Sequence, residues 1–306
     1  MTSRRAWLAV PLLACWPRAR SQAASATVEV VGSRIELQFD DGLDAVELQT
    51  AVRDWALRAA QTVSLFLGHF PLPHVELLLQ AVDGAGVKGG TAFGEPEPYL
   101  RLRLGRATQP RHLADDWVLV HEMLHLSLPR LRRQHSWLHE GMATYCEGAA
   151  RVLAGQQPAQ RWWGELVRGL PQGQPQPGDA GLDHTPTWGR TYWGGALFCL
   201  QADVALRRRA PGMPGLREAL RGIGVAGGNY AVAWPVQQVL DAADRAVGGT
   251  VLSDLYALHR DAAVAVDLPA LWLALGVGVG AQGPLGMLPA LDDSAPLAAV
   301  RRAITA

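Results

Sequence analysis

The chain has 306 residues, 49% of them apolar and 18% charged, with 28 Lys+Arg against 28 Asp+Glu. This composition can bury a substantial core and excludes a disordered chain. The balanced charge leaves no footprint for nucleic acid or an anionic membrane surface.

The first 26 residues read as an export signal. Arg4 and Arg5 form a short basic region, Ala6 to Ala14 is an apolar run interrupted by Pro11, and the small residues Ala23, Ala24 and Ala26 suit cleavage near Ala26. The chain is therefore expected outside the cytoplasm, periplasmic or secreted. A second reading is open: Leu12, Leu13, Ala14 and Cys15 resemble a bacterial lipobox, which would anchor the chain by a lipid at Cys15 and give it its one contact with a membrane. Cys146 and Cys199 either form a disulfide or stay as buried thiols.

Residues 27–128 read as a sheet subdomain ending in a helix, and 129–306 as a mainly helical subdomain, giving an α+β fold. Val28 to Phe39 alternates as a strand or hairpin bent at Gly32 and Ser33. Asp41 or Asp44 is placed to cap a helix over 43–67, with Val46, Leu48, Val52, Trp55, Ala59, Val63 and Phe66 as its apolar stripe. His74 to Val82, Gly90 to Gly94 and Tyr99 to Leu104 read as strands. In the last of these Leu100, Leu102 and Leu104 alternate with Arg101 and Arg103. A helix then runs from about Pro110 to Leu128, where Pro129 stops it. Ser136 is a candidate N-cap for a second helix from Trp137 to about Leu153. Residues 171–189 are rich in Pro, Gly and Gln and read as a loop. Candidate helices follow at Tyr192–Arg209, Gly215–Gly222, Ala231–Val247, Val251–Val266 and Pro269–Leu275. The uncharged stretch Leu268–Leu291 is broken by three prolines and reads as a short helix and a Gly-Pro turn between two small strands, not a membrane span.

Chemistry concentrates at His121-Glu122-Met123-Leu124-His125. On a helix, i and i+4 share a face, so His121 and His125 can offer two imidazoles to one metal ion, with Glu122 beside them as a base for an activated water. A catalytic zinc site needs a third protein ligand. His135, His139, Glu140 and Glu147 are candidates. Glu140 is favoured because it lies early on the next helix and Gly141 after it permits close backbone packing. Glu147 lies two turns along the same face and could orient a ligand histidine. The Gly and His that a metzincin needs at 128 and 131 are Leu128 and Leu131, which excludes that class.

The motif followed by Trp137, Leu138, Glu140, Gly141, Ala143 and Tyr145 resembles the gluzincin metallopeptidases, the group of thermolysin and aminopeptidase N. The order of Tyr192, Trp193, Gly194, Gly195 and Ala196, then Gly215 to Leu220, looks most like the bacterial glycyl-aminopeptidase branch. The resemblance implies a thermolysin-like zinc peptidase domain. It implies one Zn²⁺ on His121, His125 and Glu140, with Glu122 as general base and a peptide or protein as substrate. It also suggests Tyr192 as the donor to the oxyanion, with His184 as runner-up. It suggests the strand around Gly90, Thr91 and Ala92 as the one that pairs with the substrate backbone. In aminopeptidase N a Glu near that strand grips the substrate amine, and this chain has none there, so aminopeptidase activity has no direct support. The competing expectations are an exported binding protein on a peptidase-like scaffold and a metal hydrolase of a non-peptide amide.

Overall fold

The computed structural model describes residues 25–278 and 288–306. Residues 1–24 of the expected export signal, Cys15 among them, lie outside the described residues, as does the turn expected near Gly280 to Gly286, while Ser25 and Ala26 are in the first strand. The N-terminal part is a five-stranded sheet: β1 (Ser25–Val30), β2 (Ser33–Phe39), β3 (His74–Val82), β4 (Val87–Phe93) and β5 (Tyr99–Gly105), in the order β1-β2-β3-β5-β4. β2, β3 and β5 run parallel, while β1 and β4 are antiparallel to their neighbours. Ile35, Leu37, Val75, Leu77, Leu79, Leu100 and Leu102 bury one face, and Arg101 and Arg103 stand on the wet one. Alternation in the sequence therefore becomes a half-buried sheet.

Helix α1 (Val46–Leu67) joins β2 to β3. Its buried residues Leu48, Val52, Trp55, Ala59, Val63 and Phe66 recur at helical spacing, while Val46 is exposed. Neither Asp41 nor Asp44 caps it. Asp44 accepts from the Gly42 N–H at 3.2 Å, and Ala45 is the uncapped first position. The helix ends at Gly68, whose φ of 87° is in the left-handed region that favours glycine.

The motif helix is shorter than its pattern suggests. Pro110–Leu113 is a separate 3₁₀ turn, and α2 covers only Val118–His125. The Asp116 carboxylate accepts from the Leu119 N–H at 3.3 Å and sets the start. At the other end Leu126, Ser127 and Leu128 each bond three residues back, so the chain tightens before reaching Pro129. A 3₁₀ turn, Arg133–His135, leads into α3 (Ser136–Leu153), so Ser136 is its first residue and not its cap. His135, a candidate third ligand, is buried away from the other donors: its Nδ1 meets Asp183 at 3.0 Å. The same carboxylate accepts from Trp137 Nε1 at 2.8 Å and the Tyr256 hydroxyl at 2.7 Å.

The rest is helical: α4 (Ala159–Gly169), α5 (Gly195–Arg207), α6 (Leu216–Val225), α7 (Val236–Val247), α8 (Val251–His259), α9 (Leu268–Leu275) and α10 (Ala298–Ile304). α4 and α10 had no counterpart in the sequence reading. Beyond α9, Val277 bridges Leu291. Among the described residues no helix is long and apolar enough to cross a membrane. Cys146 and Cys199 are free, buried thiols.

One contact fixes the helical half against the motif. A Cβ on Gly141 in α3 would overlap the backbone of Gly195, and a Cβ on Gly195 would overlap Trp137 O and the Gly141 Cα. The α3 and α5 backbones touch there, and only glycine allows it. We predict that Gly141→Ala lowers stability by about 1–3 kcal/mol through overpacking. Urea unfolding reads this loss; a midpoint unchanged from wild type refutes the contact.

Candidate metal centre

Three donors converge from two helices. His121 and His125 project from one face of α2 with rings at 86° to each other, and Glu140 is the fifth residue of α3. Glu140 Oε2 lies 3.3 Å from His121 Nε2 and 3.5 Å from His125 Nε2. All three ligand atoms lie within 4.8 Å of one another. Zinc–donor bonds of about 2.0–2.1 Å set neighbouring corners of a tetrahedron about 3.3–3.4 Å apart. Two imidazoles and one carboxylate at these separations therefore fit a zinc ion with a fourth position left for substrate or water.

The electrostatics follow from crowding these groups where water is scarce. Burial pulls the His121 imidazole below its usual range. Burial acts the same way on His125, but its hydrogen bond to Glu140 and the nearby carboxylate charges outweigh this and raise it. Burial works against a charged Glu140, yet hydrogen bonds from both histidines hold its carboxyl well below the usual range. Glu122 has no such bonds to a histidine. Burial pushes it up to about 7, opposed by the charge of His125 and by the Ala92 N–H that donates to it.

Glu122 touches the sheet through a second glycine. A β-bulge between Val87 and Gly90 shifts the register of β4 on β5. A Cβ on Gly90 would overlap Glu122 Cγ and crowd Leu102. β4 can thus lie directly on α2, and the Ala92 main chain faces the centre. Gly90, Thr91 and Ala92 line a cavity of about 410 Å³ together with the three donors and Glu122.

Tyr192 reaches this cavity from a π-helical turn, Arg190–Gly194, just before α5. Arg190 pins the turn by pairing with Asp179 at 2.7 Å. The Tyr192 ring stacks over His121 with 6.5 Å between centroids. Its hydroxyl is pushed up to about 12 by burial and by the Glu140 carboxylate to which it bonds. Tyr230 also lines the cavity, and the sequence reading missed it. Its N–H donates to Leu126 O at 3.0 Å, its hydroxyl approaches Ala92 O at 3.4 Å, and its ring meets His139 edge to face. A usable signal was its rarity, since the chain has 5 tyrosines.

Two expected residues stand elsewhere. Glu147 pairs with Arg151 at 2.8 Å, an i, i+4 pair on α3, and no ligand histidine bonds to it. His121 Nδ1 is buried without a partner among the described residues. His184 is exposed and pairs with Asp261 at 2.8 Å, outside the cavity.

No protein-family model matches the sequence, and no curated protein matches it. Solved structures do. The chain is similar to an aminopeptidase N family protein from Idiomarina loihiensis, with a TM-score of 0.62 and 16% identity over 89% of this chain and 51% of that one. It is similar to an M1 zinc metallopeptidase mutant from Deinococcus radiodurans, with a TM-score of 0.52 and 16% identity over 80% of this chain and 53% of that one. A two-domain M1 zinc metallopeptidase bound to L-arginine gives a TM-score of 0.51 at 16% identity, covering 80% and 53%. The chain spans about half the length of these proteins. At such identities the likeness concerns fold: a mixed α+β chain, with a small N-terminal sheet and a helical remainder, similar to the domains of M1 zinc peptidases.

Proposed function

We propose that this chain is a zinc-dependent peptidase of the gluzincin type. The observation that carries the reading is the convergence of His121, His125 and Glu140, with ligand atoms within 4.8 Å of one another, beside a fourth group, the buried Glu122. Similarity to the fold of M1 zinc peptidases supports it. So does the order of residues from Tyr192 to Leu220, which favours the glycyl-aminopeptidase branch.

A zinc ion held by the three donors would polarise the scissile carbonyl and acidify a water to a pKa of about 7. Glu122, beside the donors and largely buried, takes the proton of the attacking water and passes it to the leaving amine. Its Ala92 hydrogen bond holds the carboxylate on the substrate side. The Tyr192 hydroxyl, kept protonated far above neutral pH, donates to the developing oxyanion. Gly90 to Ala92 offer main-chain groups to an extended substrate backbone. The N-terminal basic and apolar pattern supports a place outside the cytoplasm.

The purified chain should carry one equivalent of zinc by mass spectrometry, and His121→Ala or Glu140→Ala should lose it. No zinc in the wild type removes the site assignment. Glu122→Gln should keep the metal and lower kcat by about 10²–10⁴-fold. Tyr192→Phe should lower kcat by about 10²–10³-fold. Zinc at unit stoichiometry with no cleavage across a broad peptide library removes the peptidase reading and leaves a metal-binding protein.

A further inference from the structure

One wall of the cavity carries charge that the proposed chemistry does not use. The connector between α2 and α3 contributes Arg130, Arg132 and Arg133 to the lining. Arg130 is committed: it donates to Gly94 O and pairs with Glu95 at 3.2 Å. Arg132 and Arg133 are exposed, and of the three only Arg130 has a side-chain partner among the described residues.

The connector is held at both ends. The Arg130 N–H donates to Val232 O at 2.8 Å, and Arg130 O accepts from the Trp234 N–H at 3.2 Å. Five residues on, His135 is buried against Asp183. Two guanidinium groups thus stand on a fixed backbone at the mouth of the cavity. The carboxylates lining the same cavity are Glu122 and Glu140, both at the donor cluster. Gly90 to Ala92, also in the lining, carry no acidic side chain. Glu95, beside the lining, is taken by Arg130, so a positive group on a substrate would find no unpaired carboxylate outside that cluster, whereas a negative group would find two cations without side-chain partners among the described residues.

We propose that Arg132 and Arg133 form a carboxylate-binding subsite. The preferred substrate is then a peptide presenting an anion within a few residues of the scissile bond, not one recognised by a free amine. The anion is either the C-terminal carboxylate or an Asp or Glu side chain. Guanidinium suits both, because its planar fork meets the two carboxylate oxygens at once. This inference rests on the peptidase reading above, and it adds the chemistry that selects the substrate.

The test uses four hexapeptides of one neutral sequence. The first is acetylated and amidated, the second is acetylated with a free C-terminus, the third is blocked at both ends with one internal Glu, and the fourth is blocked with one internal Lys. Calorimetry measures their binding to the zinc-loaded Glu122→Gln chain, with and without Arg132→Ala and Arg133→Ala, and wild-type cleavage is read separately. The expected result is about tenfold tighter binding of an anionic peptide than of the neutral one, shrinking as salt rises. In the double arginine variant, which circular dichroism should report as folded, this falls to within about twofold. Comparing the second peptide with the third identifies the source of the carboxylate. In turnover the preference should lie in KM and not in kcat. Equal binding of all four, a preference for the Lys peptide, no binding of either anionic peptide, or a preference that survives the double substitution overturns the subsite. Cleavage without charge preference overturns the subsite alone. Charge-selective binding with no wild-type cleavage of any peptide overturns the peptidase reading alone.

Discussion

The centre depends on two backbones touching. Where Gly141 of α3 meets Gly195 of α5, no side chain separates the helices. Glu140 is the neighbour of Gly141, and Tyr192 lies three residues before Gly195, so the contact brings the carboxylate and the hydroxyl together. Glu140 then has a single direction left to face, toward α2 and its two histidines. A Cβ at either glycine would push the helices apart, and the shift would pass to the Glu140 carboxylate, whose distances of 3.3 and 3.5 Å leave little slack. The glycines that look like spacers in the two sequence patterns are therefore the geometric origin of the third donor.

Burial sets the chemistry of what that contact assembles. Two carboxylates and two imidazoles share one wall, and each pays for lost hydration in a different way. Glu140 stays charged because both histidines bond to it. Glu122, bonded to a single backbone N–H, rises to about 7. Neighbouring carboxylates thus shift in opposite directions, and in the proposed reading this separates a fixed anion from a group able to exchange a proton. His121 and His125 also diverge, since the second faces both carboxylates. A divalent cation among them would offset the concentrated negative charge.

Local patterns were legible in the sequence, and contacts across long separations were not. The motif spacing placed His121 and His125 on one face, and the glycine after Glu140 pointed to the carboxylate that the fold brings within 3.3 and 3.5 Å of them. Richness in Val and Leu located β3, and alternation located β5, nearly to the residue. The ends of α2 were misjudged because Asp116 supplies a start signal inside a stretch that still looks helical. Asp183 lies 48 residues from His135 and 73 from Tyr256, so no local pattern marked His135 as buried. Tyr230 is tied to the end of α2 by a backbone bond across more than a hundred residues. Glu147 was correctly placed on the face of Glu140, but the sequence could not show that Arg151, one turn on, would take its carboxylate.

The edge strand shows how a binding groove can exist without inviting aggregation. β4 pairs only with β5, and an open edge is a template for another chain. Here the edge is partly occupied by the protein itself. The Ala92 N–H donates to Glu122, Ala92 O is approached by the Tyr230 hydroxyl, and the Thr91 hydroxyl donates to Gly90 O at 2.6 Å. A substrate strand has to displace these partners. The Tyr230 contact is a long one, at 3.4 Å. The bulge before Gly90 bends the strand and limits the length of flat edge on offer. In the proposed reading, the devices that protect the edge are the same ones that position the base. On that reading a peptide reaching Ala92 would meet Glu122 and Tyr230 beside it, so binding and the placement of the carboxylate would be coupled through one residue.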